Sequence, residues 1–198
     1  MPDNKSLALF DFDGTITQKD SFIEFIRFYK GEATFIFGMM LLSPFLIAYK
    51  LKIIKNWQAK QMTLKFFFRG EPVDTFKSKC QDFTTKVIPS LVKKKAIDKI
   101  EEHQQHGDRV IIVTASAEDW LQDWCKTKNI ELIATQLEKV DGKVTGKILG
   151  NNCYGDEKTN RIMSYLNIRD YSTVFAYGDS KGDHAMLKLA DVKLYKPF

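Results

Sequence analysis

Cysteine is sparse: Cys80, Cys125 and Cys153 are the only three in 198 residues, and no two form a C-x-x-C pair. That excludes a disulfide framework and a cysteine zinc site, and it fits a reducing compartment. The three histidines, His103, His106 and His184, lack metal-ligand spacing and read as surface or packing residues. No internal repeat and no low-complexity linker occurs. With 44% hydrophobic and 28% charged residues, the chain as a whole is not disordered, collagenous or coiled-coil. The amino terminus, Met1-Pro2-Asp3-Asn4-Lys5, carries an acid and leads into a strand-like run, not a signal-peptide core. The expected location is therefore cytoplasmic.

Five short apolar runs lack the alternation of a half-exposed sheet and read as buried parallel strands. They are Leu7 to Phe10, Val110 to Val113, Ile130 to Ala134, Thr173 to Tyr177, and Val192 to Leu194. Helical patterns lie between them: Ala117 to Lys128 aligns Trp120, Leu121 and Trp124, and Asp156 to Asn167 aligns Ile162, Met163 and Leu166. This order predicts an α/β fold, a Rossmann-like open parallel sheet with helices on both faces. Asp141-Gly142, between two extended segments, predicts a β-hairpin over Gln136 to Leu149, after the third strand.

The first and second strands are too far apart for one crossover helix. Residues 19–86 are expected to form a helical insert after the first strand, with 1–18 and 87–198 forming the core. Ser21-Phe22-Ile23-Glu24 has the pattern of a capping box, and Pro44, Gly70-Glu71-Pro72 and Pro89 punctuate the helices that follow. The net charge of +5 is concentrated here, with 12 basic and 6 acidic residues from Lys19 to Lys86. Such a surplus is either a solvated helical surface or a place that meets an anion, a phosphorylated substrate or a lipid headgroup.

Ala33 through Tyr49 is an uncharged run of 17 residues that ends at Lys50, Lys52 and Lys55. It is near the lower limit for a membrane span, and Gly38 and Pro44 interrupt it. The expected form is a pair of buried helices hinged near Ser43-Pro44. The alternatives are peripheral membrane contact through residues 33–55, and a true span. Lys65-Phe66-Phe67-Phe68-Arg69 has the composition of a nucleic-acid patch, but three adjacent phenylalanines on a helix cannot all face one groove, so packing is expected and no nucleic acid. Lys93-Lys94-Lys95 reads as a solvated helix face.

Polar clusters sit at three strand ends: Asp11-Phe12-Asp13-Gly14-Thr15, then Thr114-Ala115-Ser116, then Gly178-Asp179-Ser180-Lys181-Gly182-Asp183. In open α/β sheets ligands bind beyond the carboxyl ends of the strands, so these clusters converge on one site. Asp11, Asp13, Asp179 and Asp183 would repel one another without a cation. An all-oxygen donor set favours magnesium over zinc, and such a site suits phosphoryl chemistry. Lys158, at the first turn of a predicted helix, brings a cation toward the same place. Asp-x-Asp-Gly-Thr arises by chance in on the order of one chain in a few hundred of this length. An EF-hand is excluded, because Gly14 is fourth in the run and Phe22 twelfth.

Taken together, Asp11-Phe12-Asp13-Gly14-Thr15, Thr114, Lys158 and Gly178-Asp179-Ser180-x-x-Asp183 resemble the four motifs of the haloacid dehalogenase superfamily, in order. The hairpin and lysine region resembles its phosphoserine-phosphatase-like subclass. The resemblance implies a Mg2+-dependent phosphomonoester hydrolase acting through an aspartyl-phosphate intermediate, with the insert as a helical cap. It implies Asp11 as nucleophile and Asp13 as general acid and base. Thr114, Ser116 and Lys158 would bind phosphate, Asp11, Asp13 and Asp179 would bind the metal, and Asp183 would orient the metal's surroundings. Where the phosphoserine phosphatases carry a cap-entry glutamate that recognises an ammonium group, this chain has Asp20, the specificity candidate. The partner implied is a phosphorylated small molecule. The alternatives are a membrane-associated lipid phosphatase of the phosphatidylglycerophosphatase type, which meets a phospholipid headgroup, and a non-catalytic anion-binding scaffold.

Overall fold

The computed structural model describes residues 5–198; Met1 to Asn4, and the expectation attached to them, lie outside it. Six strands form one sheet: β1 (Leu7–Phe10), β2 (Arg109–Ala117), β3 (Glu131–Val140), β4 (Lys143–Leu149), β5 (Val174–Gly178) and β6 (Val192–Tyr195). Their spatial order is β4-β3-β2-β1-β5-β6. All neighbours are parallel except β3 and β4. These two form the expected hairpin, with Asp141 and Gly142 both at positive φ, 49° and 71°, as a two-residue turn of this hand requires.

The apolar runs are buried on both faces because the sheet divides them. Leu7, Leu9, Ile111 and Val113 join one core with Ile162 and Met186. Ala8, Phe10, Val110 and Ile112 join a larger one with Trp120 and Trp124. Side chains alternate across a strand, so each run serves two cores. Of the predicted helices, α8 (Asp156–Tyr165) is present. The one expected from Ala117 is shorter: β2 runs to Ala117, a single turn spans Glu118–Trp120, and α7 covers Gln122–Thr127. Helix α9 (His184–Leu189) precedes β6.

Between β1 and β2 lie α1 (Ser21–Lys30), α2 (Glu32–Lys50), α3 (Asn56–Phe68), α4 (Val73–Lys86), α5 (Ile88–Leu91) and the crossover helix α6 (Lys94–Gln105). Their core is aromatic: Phe25 stacks on Trp120 at 4.7 Å and meets Phe68, Phe76 and Phe83 at 5.2–5.6 Å. Phe67 and Phe68 are buried and Phe66 is half exposed, so the phenylalanine triplet serves packing. Two expectations are corrected. The N-cap of α1 is Asp20, whose Oδ1 accepts the N–H groups of Phe22 (2.9 Å) and Ile23 (3.1 Å); Ser21 is already helical. And 33–49 forms one continuous, largely exposed helix, not two buried ones. Pro44 cannot donate to the Met40 carbonyl, but the Ser43 hydroxyl does, at 2.7 Å, so the helix runs through.

Candidate active site

Register brings the three polar clusters together. Phe10 pairs with Ile112 on one side and Tyr177 on the other, so Asp11, just past β1, lies level with the ends of β2 and β5. The β2–β3 register slips between Thr114 and Ala117, a bulge that re-aims the chain at the site. After Asp11 the backbone turns tightly: Gly14 has φ 84°, and a Cβ there would lie 2.4 Å from Asp179 Oδ2. Only glycine lets the first cluster approach the carboxylate of the third this closely.

Lys158 is buried among acids. Its three ammonium protons go to Asp11 Oδ1 (2.6 Å), Asp183 Oδ1 (2.7 Å) and the Val113 carbonyl (2.7 Å). Burial opposes its charge, but the two carboxylates outweigh that and hold its pKa above the ordinary lysine value. Asp183 Oδ2 accepts from the Ser180 N–H and hydroxyl, both at 2.9 Å, and from the Asp179 N–H at 3.2 Å. Burial pushes the Asp183 carboxyl up, yet Lys158 and these donors hold it low. Asp11 is the opposite case: burial raises it to about 7 in spite of Lys158. Asp179 is likewise raised, first by burial and then by Asp183.

Ligand oxygens of Asp11, Asp179 and Asp183 lie within 4.8 Å of one another. An all-carboxylate set in which two members resist ionisation fits a hard divalent cation, which would remove that resistance. The Thr15 hydroxyl, 3.1 Å from Asp11 Oδ2 and 3.3 Å from Asp179 Oδ1, stands between the two.

Asp13 lines the same cavity. The Ser21 N–H reaches its Oδ1 at 2.7 Å and the Ser116 hydroxyl its Oδ2 at 2.5 Å. Burial, then Asp20, raises its pKa to about 6. Ser116, expected on phosphate, lines the cavity, donates to Asp13 and is itself 2.9 Å from the Ser21 hydroxyl. The buried Thr114 hydroxyl accepts the Ser116 N–H at 3.0 Å, which leaves its own proton for the cavity. Asp20 lines the rim while capping α1. The cavity measures about 330 Å³, and Asp11, Asp13, Thr114, Lys158 and Asp179 all line it.

Comparison with known proteins then decides the family. The family model described as haloacid dehalogenase-like hydrolase matches residues 8–188. The chain belongs to this family. It is 34% identical to Protein CicA of Caulobacter vibrioides over 194 residues, 97% of this chain and 86% of that protein. In fold it is similar to a protein of unknown function from Bordetella pertussis Tohama I, at a TM-score of 0.80 and 23% identity, covering 95% of this chain and 88% of the other. A phosphoserine phosphatase in apo form gives a TM-score of 0.67 at 18% identity, covering 96% and 86%.

Two lysines of this hydrolase escaped sequence reasoning. Lys60, on α3, reaches into the cavity, donating to the Ala115 carbonyl and, at 3.4 Å, to Asn152 Oδ1. Burial lowers its pKa to about 8 against the pull of Asp13 and Asp20. Asn56, Ala59, Lys60 and Thr63 all line the cavity, and their small or polar character at i, i+3, i+4 and i+7 was the available signal. Lys93, read as part of a solvated face, instead donates to the Gly14 carbonyl at 2.5 Å; Lys94 and Lys95 are exposed as expected.

Proposed function

We propose that this chain is a magnesium-dependent phosphatase of small phosphomonoesters, working in the cytoplasm through an aspartyl-phosphate, an acyl phosphate on Asp11. The observation that carries the reading is the Asp11 carboxylate, held by Lys158 and facing the same cavity as Asp13. In the first step Asp11 Oδ attacks phosphorus and the bond from phosphorus to the substrate alcohol breaks. Asp13, protonated, gives its proton to the departing oxygen. In the second, the Asp13 carboxylate takes a proton from water as that water's oxygen attacks phosphorus. The aspartyl–phosphorus bond breaks and inorganic phosphate leaves. A raised carboxyl oriented by Ser21 and Ser116 supports both roles for Asp13.

Asp11, Asp179 and the Asp13 backbone carbonyl would hold Mg2+, with Asp183 fixing the loop around it. The ion would neutralise carboxylate and phosphate charge. Thr114 would donate to a phosphoryl oxygen and Lys158 would face its charge. Residues 19–86 would act as the cap over a core of 1–18 and 87–198, with Asp20 and Lys60 meeting the substrate's leaving group. A cavity of about 330 Å³ with this polar floor supports a small phosphomonoester over a phospholipid.

Hydrolysis of p-nitrophenyl phosphate tests the reading. The protein is expected to turn over with Mg2+, to stop with EDTA, and to lose turnover in Asp11→Asn while its circular dichroism spectrum is unchanged. An active Asp11→Asn protein refutes the covalent route. Inertness of the wild type favours the scaffold alternative.

A further inference from the structure

Helix α2 is apolar on every side, yet only one side is covered. Phe35, Gly38 and Leu42 are buried, and Met39 and Leu46 pack partly against the insert core. The other side presents Ile36, Phe37, Met40, Leu41, Phe45 and Ile47, each between 45% and 61% exposed. The turn that follows adds Leu51 at 66% and Ile53 at 72%. A helix apolar all round belongs in a core or against lipid. Isolated exposed apolar residues are ordinary, but a continuous strip of them marks a contact surface.

Charge selects the occupant. The only acid on α2, Glu32, lies 3.6 Å from Arg27 Nε. At the other end Lys50, Lys52 and Lys55 are all exposed, beside the half-exposed rings of Tyr49 and Trp57. Apolar side chains edged by aromatics and lysines match an anionic bilayer layer by layer, acyl chains beneath headgroups. A second copy of the chain would meet this surface with the same basic surplus. A span is not needed, because the covered side stays in the fold: a Cβ on Gly38 would lie 2.4 Å from the Phe67 ring of α3.

We propose that the outer side of α2 and the turn at residues 51–55 seat this protein peripherally on anionic lipid bilayers. The opposite side of α2 gives Met39 and Leu46 to the candidate cavity, and the partly exposed Tyr49 at the helix end borders both, so lipid contact and cavity lining share one helix. The inference does not depend on the proposed reaction.

Flotation of the full-length protein tests it, using vesicles of phosphatidylcholine with phosphatidylglycerol and vesicles of phosphatidylcholine alone. The wild type is expected to rise with the anionic vesicles. The Phe37→Glu/Leu41→Glu variant is expected to stay at the bottom, with an unchanged circular dichroism spectrum and unchanged hydrolysis of p-nitrophenyl phosphate. Lys50→Glu/Lys52→Glu should lower the bound fraction by about tenfold or more, as should high salt. A wild type that never rises overturns the proposal, and so does a Phe37→Glu/Leu41→Glu protein that rises as well as the wild type. If instead light scattering shows a dimer that Phe37→Glu/Leu41→Glu dissolves, and nothing floats, the strip is an interface between copies and the proposal falls. An inert wild type that floats sinks the proposed reaction and leaves the docking supported.

Discussion

Four aspartates within one site behave differently because their neighbours differ. Asp183 is stabilised as an anion by Lys158 and by the donors of its own turn, and little of it remains free for anything else. Asp11 shares the same lysine but has fewer donors, and burial wins. Lys60 faces the rim acids and makes only two bonds to protein acceptors, one of them long. Its charge is therefore available to a substrate anion. Lys60→Met, which keeps the stem and removes the charge, is expected to raise KM for a phosphomonoester by about tenfold, in line with the loss of one charge-assisted hydrogen bond. A KM and kcat equal to those of the wild type would remove Lys60 from the site. The motif residues were legible because their chemistry is unusual at such density: paired carboxylates at two strand ends, beside a polar third, have few structural uses. Lys60 was not, since a lysine among nine others in the insert carries no mark of where its helix turns it.

Helices hold the larger misreadings, and each has a local cause. Asp20 and Ser21 are both good N-cap residues. The contest went to the residue whose carboxylate takes two N–H groups, freeing the Ser21 hydroxyl for Ser116 and its N–H for Asp13. Pro44 reads as a break, but a break needs an orphaned carbonyl, and Ser43 removes it. Gly38 reads as a flaw in the helix and is instead where α2 meets α3. Leucine is the better helix former by less than about 1 kcal/mol, whereas overpacking costs about 1–3 kcal/mol. With Phe67 only 4% exposed and unable to swing out, the collision prevails. Gly38→Leu is expected to lower the melting temperature; an increase would mean α2 and α3 are not packed as described. The end of α1 is fastened by Glu71, which accepts from Tyr29 at 2.7 Å and from Lys30. Partial burial pushes this carboxyl up, but the two donors outweigh it and hold it below the usual range. A depressed carboxyl stabilises above its unfolded pKa and loses that contribution as pH falls through the folded value. The stability gap between wild type and Glu71→Gln is accordingly expected at neutral pH and should close below about pH 4.

Over the whole molecule, short apolar runs separated by helical patterns were enough to predict the parallel sheet, since both cores draw on the same strands. What they could not convey is how the insert is attached. The hairpin provides the attachment: the Gly70 N–H donates to the Val144 carbonyl (2.8 Å), the Val144 N–H to Glu71 (2.9 Å) and the Val73 N–H to Gly142 (2.9 Å). Strand β4 thus pairs with β3 on one edge and with the insert's own chain on the other. Gly146 lets β4 lie on α3, with φ 73° and a would-be Cβ 2.5 Å from the Lys65 backbone. Backbone atoms cannot rotate away as a side-chain tip can, so Gly146→Ala must part the hairpin from α3. The left-handed backbone alone costs about 1–2 kcal/mol for a residue with a Cβ. If the hairpin is the tether, the damage is local: hydrogen exchange at the Gly70 and Val144 amides should quicken, while the Leu9 amide, deep in β1, keeps its protection. Equal acceleration at Leu9 would mean that insert and sheet open as one unit, and that the tether is not where the insert gives way first.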